Sequence, residues 1–113
     1  MKKIKTLKKN YEFKNVMSKG KFFCEKYITV YISKNNLEKN VIGIAVSTKS
    51  AKAVMRNRIK RLIRENFILK RNIIKKGYNI VFLWNKKNEV LDTDFHKIEK
   101  DMDKIFRKSD LYL

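Results

Sequence analysis

Arg56, Asn57, Lys60, Arg61 and Arg64 recur at the spacing that gathers side chains on one face of a helix. They lie in the run Lys49-Ser50-Ala51-Lys52-Ala53-Val54-Met55-Arg56-Asn57-Arg58-Ile59-Lys60-Arg61-Leu62-Ile63-Arg64-Glu65-Asn66. At about 100° per residue, the five side chains cover an arc of roughly 140°. Met55, Ile59, Leu62, Ile63 and Leu69 cover roughly 120° on the opposite side. One side suits a core, and the other presents a fixed row of guanidinium and ammonium groups. The chemistry of such a row is phosphate recognition. The arginine fork bonds two phosphate oxygens at once, and lysine adds a point charge. Glu65 lies off the edge of the stripe, so almost no acid neutralises it. Asn57 interrupts the row with a neutral donor and acceptor, which solubility alone does not require.

The scaffold for that stripe is a chain of 113 residues, of which 43% are hydrophobic. This length predicts a single domain, 1–113, around one core. Lys and Arg number 29 against 11 Asp and Glu, a formal charge of +18. Such an excess repels itself in the compact state and favours a polyanionic partner, with nucleic acid first. An anionic membrane is the weaker candidate, because no apolar run reaches a spanning length. Thr6-Leu7-Lys8-Lys9 follows the basic start where the apolar stretch of a signal peptide would lie, which argues for a cytoplasmic protein. Cys24 is the single cysteine, so no internal disulfide forms, as suits a reducing compartment.

Periodicity predicts the elements that position the stripe. A first helix runs from about Lys8 to Lys19, with Leu7, Tyr11, Phe13, Val16 and Met17 as its apolar positions. Gly20 is placed for a left-handed residue after the helix end. A short strand is expected near Lys21 to Cys24. Lys26 to Ser33 alternates, Ile28, Val30 and Ile32 pointing one way and Tyr27, Thr29 and Tyr31 the other. Asn35 to Asn40 reads as a hairpin connection, and Val41 to Ser47 as a buried strand in which Gly43 marks a close backbone approach. The basic helix is expected from Ala51 to Lys70, then a strand from Tyr78 to Trp84. A closing helix is capped by Asp92, Thr93 or Asp94, with Phe95, Ile98, Met102, Ile105 and Phe106 facing the core. The fold class is α/β, an α+β sandwich of order α-β-β-β-α-β-α on a four-stranded mixed sheet. Strand–helix–strand around the basic helix implies a parallel pair.

A second constellation is aromatic. Phe13 on the first helix and Tyr31 on the less apolar strand face come near each other across the sheet, among Lys14, Lys19, Lys21 and Lys26. Rings that stack bases, with ammonium groups along the backbone, suit single-stranded RNA. Catalytic constellations are weak. His96 is the only histidine and stands among charged residues. The chain has no G-x-S-x-G elbow and no glycine-rich nucleotide loop. Asp92, Asp94, Glu99, Asp101 and Asp103 are accounted for by helix capping and local charge balance.

The pattern Lys49-x-x-x-Ala53-Val54-x-Arg56-Asn57-x-x-Lys60-Arg61-x-x-Arg64-Glu65 resembles the RNR motif of the bacterial ribonuclease P protein subunit. Leu7-Lys8-Lys9-Asn10-Tyr11-Glu12-Phe13-x-x-Val16-x-x-x-Gly20 is similar to the first helix of that family, and Phe106-Arg107-Lys108-Ser109 to the closing helix of some members. The resemblance implies a ribonucleoprotein endonuclease that removes the 5′ leader of precursor tRNA. Its RNA subunit is the catalyst and holds most of the Mg²⁺. It also implies a left-handed β-α-β crossover, as in the second domain of ribosomal protein S5, against the usual hand. Partners implied are the catalytic RNA subunit and the precursor leader, with no protein partner and no membrane. Carried over by position, Lys49, Lys52, Arg56, Asn57, Arg58, Lys60, Arg61 and Arg64 form the RNA-binding set, and Phe13, Met17 and Tyr31 the leader-binding set. No residue of the chain is expected to be catalytic or to bind a metal. Ala51 stands where many members have glycine, and Met17 where an aromatic is frequent. A ribosomal RNA-binding protein and a DNA-binding module are the rivals that charge and size leave open.

Overall fold

The computed structural model describes residues 5–49, 52–85 and 93–113. The elements are β1 (Lys5–Thr6), α1 (Asn10–Lys19), β2 (Lys21–Cys24), β3 (Ile28–Lys34), β4 (Val41–Ala45), α2 (Ala53–Lys70), β5 (Tyr78–Trp84) and α3 (Phe95–Lys108). They build one five-stranded mixed sheet in the order β1-β4-β5-β3-β2. The sheet has five strands rather than four, because Lys5–Thr6 pairs in parallel with β4. Two residues are too few for alternation to reveal a strand.

β5 holds the centre for a physical reason. Ile80, Val81 and Phe82 are consecutive and all fully buried, so the strand needs cover on both faces and a neighbour on both sides. β3 pairs with it antiparallel and β4 in parallel. The segment Asn35 to Asn40 is therefore no hairpin. It carries the chain past β5, turned by an Asn35 side chain that accepts from Leu37 N–H at 2.8 Å, with Asn36 at a φ of 61°.

Alternate residues divide the sheet into two unequal cores. Ile28, Val30 and Ile32 of β3 and Ile80, Phe82 and Trp84 of β5 join Ile59, Ile63 and Phe67 of α2 and Ile98, Met102 and Ile105 of α3. The rings there pack edge to face, Phe82 lying 5.9 Å from Phe67 and 6.4 Å from Phe106. On the other face α1, alone among the described helices, lies on the sheet. Val16, Val41 and Val81 are buried there, apart from the main cluster.

Several expected details change. Leu69 is 66% exposed, and the inner face of α2 is completed instead by Asn66 and Phe67. The helix drifts relative to a flat neighbour, so the last turn presents a new angle. Asn66 Nδ2 donates to Leu62 O at 3.0 Å and to Phe95 O at 3.2 Å, tying α2 to the start of α3. Tyr11 and Met17 are exposed, because α1 rests on the sheet by a narrow strip around Phe13 and Val16. Tyr27 lies before β3 and turns into the main core, stacked at 5.8 Å on Trp84. Gly20 is extended, with φ of −82°, rather than left-handed. Its lack of a side chain serves a close approach: a Cβ would stand 2.7 Å from Val16 O and 2.9 Å from Ile32 O. Asp94 caps α3 by accepting from Lys97 N–H at 3.0 Å, and that hydrogen bond holds its carboxyl below the ordinary value. Asp92 and Ala51 lie outside the described residues.

Candidate nucleic-acid interface

The basic stripe is carried by α2, which starts at Ala53 and has no acid in its first turn. The unpaired backbone N–H groups of that turn add partial positive charge to the cations beside them. Asn57, Arg61 and Arg64 are exposed, while Arg56 and Lys60 are half-buried. Arg56 Nη1 reaches Thr48 O at 3.5 Å, so part of its fork steadies the loop that enters the helix. Arg61 approaches Glu65 at 4.0 Å, an exposed contact of little energetic weight. Lys49 and Lys52 are exposed in the entering segment, with Lys52 as the N-cap residue. Arg58 departs from the set. It stands about 160° round the axis from Arg56 and leaves the stripe.

The second part of the site is a groove of about 370 Å³ between α1 and the sheet. Asn10, Phe13, Lys14 and Met17 line its α1 wall, Ala45 and Leu83 its floor, and Lys60 its far side. Gly43 sets the depth. A Cβ on that residue would stand 2.6 Å from the Phe13 ring, so only glycine lets the ring lie on the strand. The start of α1 is held by Glu12, whose carboxylate accepts from Lys8 N–H at 3.3 Å and Lys9 N–H at 3.0 Å.

Phe13 and Met17 thus come together, and Lys60 joins their groove to the stripe. Tyr31 lies on the same sheet face but outside the groove proper, its ring 5.7 Å from that of Phe22 at an angle of 35°. Sequence reasoning missed Phe22. The signal lay in the adjacent Phe22 and Phe23, which a strand must send to opposite faces.

Asp101 and Asp103 of α3 are engaged away from both surfaces. Asp101 is buried and accepts the Tyr27 N–H at 2.7 Å, and burial raises its carboxyl above the ordinary range despite that bond. Asp103 accepts from the Tyr112 hydroxyl at 2.6 Å and from Arg107 Nε at 2.9 Å, and these bonds, the tyrosine first, lower it. His96 is exposed, 3.9 Å from Glu99. Among the described residues no three His, Cys, Asp or Glu side chains gather as a metal site would need. No described helix is long and apolar enough to cross a membrane.

Fold and surface together define a cationic α+β domain whose open face and adjoining helix are shaped for a phosphate-bearing chain. Residues 1–110 match the model of the Ribonuclease P family. The ribonuclease P protein component of a Thermoanaerobacter species is 40% identical over 110 residues, covering 97% of this chain and 93% of the relative. That of Clostridioides difficile is 39% identical, covering 96% and 95%. The RNase P protein of Staphylococcus aureus, solved at 2.0 Å, superposes with a TM-score of 0.85 at 28% identity, covering 98% of this chain and 100% of that one. The Thermotoga maritima protein gives 0.82 at 29% identity, covering 92% and 96%.

The chain belongs to the ribonuclease P protein family. It is a protein component of the ribonuclease P holoenzyme, an endoribonuclease of tRNA processing whose partner is the RNase P RNA. The ribosomal and DNA-binding rivals give way to this membership.

Proposed function

We propose that the two surfaces divide the RNA between them. The α2 stripe, with Lys49 and Lys52 at its entrance, faces the catalytic RNA, and the groove beside α1 receives the single-stranded 5′ leader of precursor tRNA. The observation that carries this reading is Lys60, which belongs to both surfaces. A strand leaving the stripe passes Lys60 as it enters the groove.

Each part has a chemical task. Arg61 and Arg64 neutralise phosphates regardless of sequence, and Asn57 offers a donor and an acceptor to a base edge or a ribose. Phe13, Met17 and Tyr31 give bases apolar surface, the thioether of Met17 adapting where a ring would stack. Lys14 and Lys60 follow the backbone between them. Together they raise the local concentration of leader at the RNA active site and fix its direction, which is catalysis by positioning. Mg²⁺, held mainly by the RNA, supplies the positive charge that phosphodiester hydrolysis needs. Among the described carboxylates Asp94 serves as a cap and Asp101 and Asp103 hold hydrogen bonds within the fold, and the domain assists Mg²⁺ by lowering the repulsion between RNA strands. Residence in the cytoplasm follows from that role and accords with an exposed, free Cys24.

Cleavage of a precursor tRNA by the cognate RNA at low Mg²⁺, with and without this protein, tests the reading. The protein is expected to restore cleavage and to favour precursor over mature tRNA. Equal cleavage with and without it, or equal affinity for both tRNAs, would count against the proposal.

A further inference from the structure

We propose that Phe22 is a base-stacking residue that extends the leader path to the outer edge of the sheet and sets how many leader nucleotides the protein grips. This rests on the groove reading above and deepens it. β2 is an edge strand paired only with β3, and its register sets Phe22 directly beside Tyr31. The neighbouring Phe23 turns its ring inward against the main core, whereas Phe22 is 64% exposed on the open face. A ring in that position contributes little to folding, and an edge strand is better guarded by a charge. Its geometry suits a planar ligand instead: two rings side by side, tilted and uncovered.

The path of the chain gives the direction. Phe13 and Met17 stand one turn apart along α1. The helix ends at Lys19, and Gly20 packs against Ile32 O, bringing the chain down over β3 and its edge. Phe22 follows at once, so Phe13, Met17 and Phe22 mark one line from the α2 side of the molecule to the sheet edge. Exposed Lys19 closes α1 just before the strand, Lys21 projects to the opposite side of β2, and no acid stands between Lys19 and Phe23 in the sequence. The ligand that fits a line of exposed rings on so cationic a domain is single-stranded RNA, and here the upstream part of the leader.

The test uses holoenzyme reconstituted with the cognate RNA and a series of precursors whose leaders are trimmed stepwise from the 5′ end. Phe22→Ala is expected to weaken binding of long-leader precursors by about fivefold, the lower end for one stacked base, and to leave short-leader precursors and mature tRNA unchanged. Phe22→Trp restores the affinity. Tyr31→Ala, run in parallel, loses affinity from a shorter leader length onward. Unchanged binding by Phe22→Ala across the series, with the Tyr31→Ala loss intact, would overturn the role of Phe22 and leave the groove reading standing. No loss by either variant would overturn both. An equal loss for mature tRNA at an unchanged melting temperature would place Phe22 against the RNA subunit and overturn the proposal.

Discussion

Along β3, Ile28, Val30 and Ile32 disappear beneath α2 and α3, while Thr29, Tyr31 and Ser33, one residue out of step, stay half-exposed beside α1. The same contrast runs through the rings. Phe67, Phe82 and Phe106 are fully buried in edge-to-face contacts, whereas Phe22 is exposed and lies tilted against a half-exposed Tyr31. Among the described residues two helices cover one face and the ten-residue α1 crosses the other. The difference teaches how a small domain separates stability from recognition. One face has its full cover, and the other leaves rings exposed where the proposed leader path runs.

The largest expected effect breaks the closed face. Phe82→Ala should destabilise the protein by about 3–5 kcal/mol, since its ring is fully enclosed between Phe67 and Phe106. Thermal or urea unfolding measures it, and a loss under about 1 kcal/mol would mean that the core readily collapses around the gap.

Tyr31→Ala sharpens the contrast on the open face. Stability should change little, while affinity of the holoenzyme for leader-bearing precursor falls by about 1–3 kcal/mol and that for mature tRNA stays constant. A drop in melting temperature comparable to that of Phe82→Ala would erase the distinction between the faces.

Lys60 and Arg64 probe the electrostatic part. Their double alanine variant should flatten the log–log salt dependence of RNA binding by roughly 1.4–1.8 units, from about 0.7–0.9 per lost phosphate contact. An unchanged slope in a salt titration would show that these cations point away from the RNA.

The smallest effect concerns pH and lies wholly on the closed side. Burial raises the Asp101 carboxyl above its ordinary 3.8, so the folded state binds that proton more tightly than the unfolded state does. Its contribution is greatest at pH below 3.8 and is lost as pH rises through the folded value. Asp101→Asn keeps an acceptor for Tyr27 N–H without the charge, and should gain stability relative to the native protein as pH rises through that value. Asp103 acts in the opposite sense. Its lowered carboxyl stabilises above 3.8, and that stability is lost as pH falls through the folded value. Melting curves of Asp101→Asn and Asp103→Asn across acid pH separate the two, and parallel shifts in the same direction would contradict this assignment.

Much of this division was legible in the residues. The stripe on α2, the alternation of β3 and the inward face of α3 all follow from periodicity, which reports side-chain direction directly. Gly43 was legible too, as a place of close backbone approach, though not as the seat of the Phe13 ring. Strand order was not, because it depends on which strand most needs two neighbours, and that is a comparison between distant segments. Leu69 and Tyr11 misled for a related reason: an apolar side chain on the correct arc stays exposed where the neighbouring layer ends. Phe22 was overlooked because a four-residue strand shows too little alternation to say which face each ring takes.

A photoreactive uridine placed in the leader of a precursor bound to the reconstituted holoenzyme tests the central claim most directly. Mass-spectrometric mapping should find crosslinks on peptides carrying Phe13, Met17 and Tyr31, lost when the same probe sits in the tRNA body. Crosslinks concentrated on α3, behind the closed face, would contradict it.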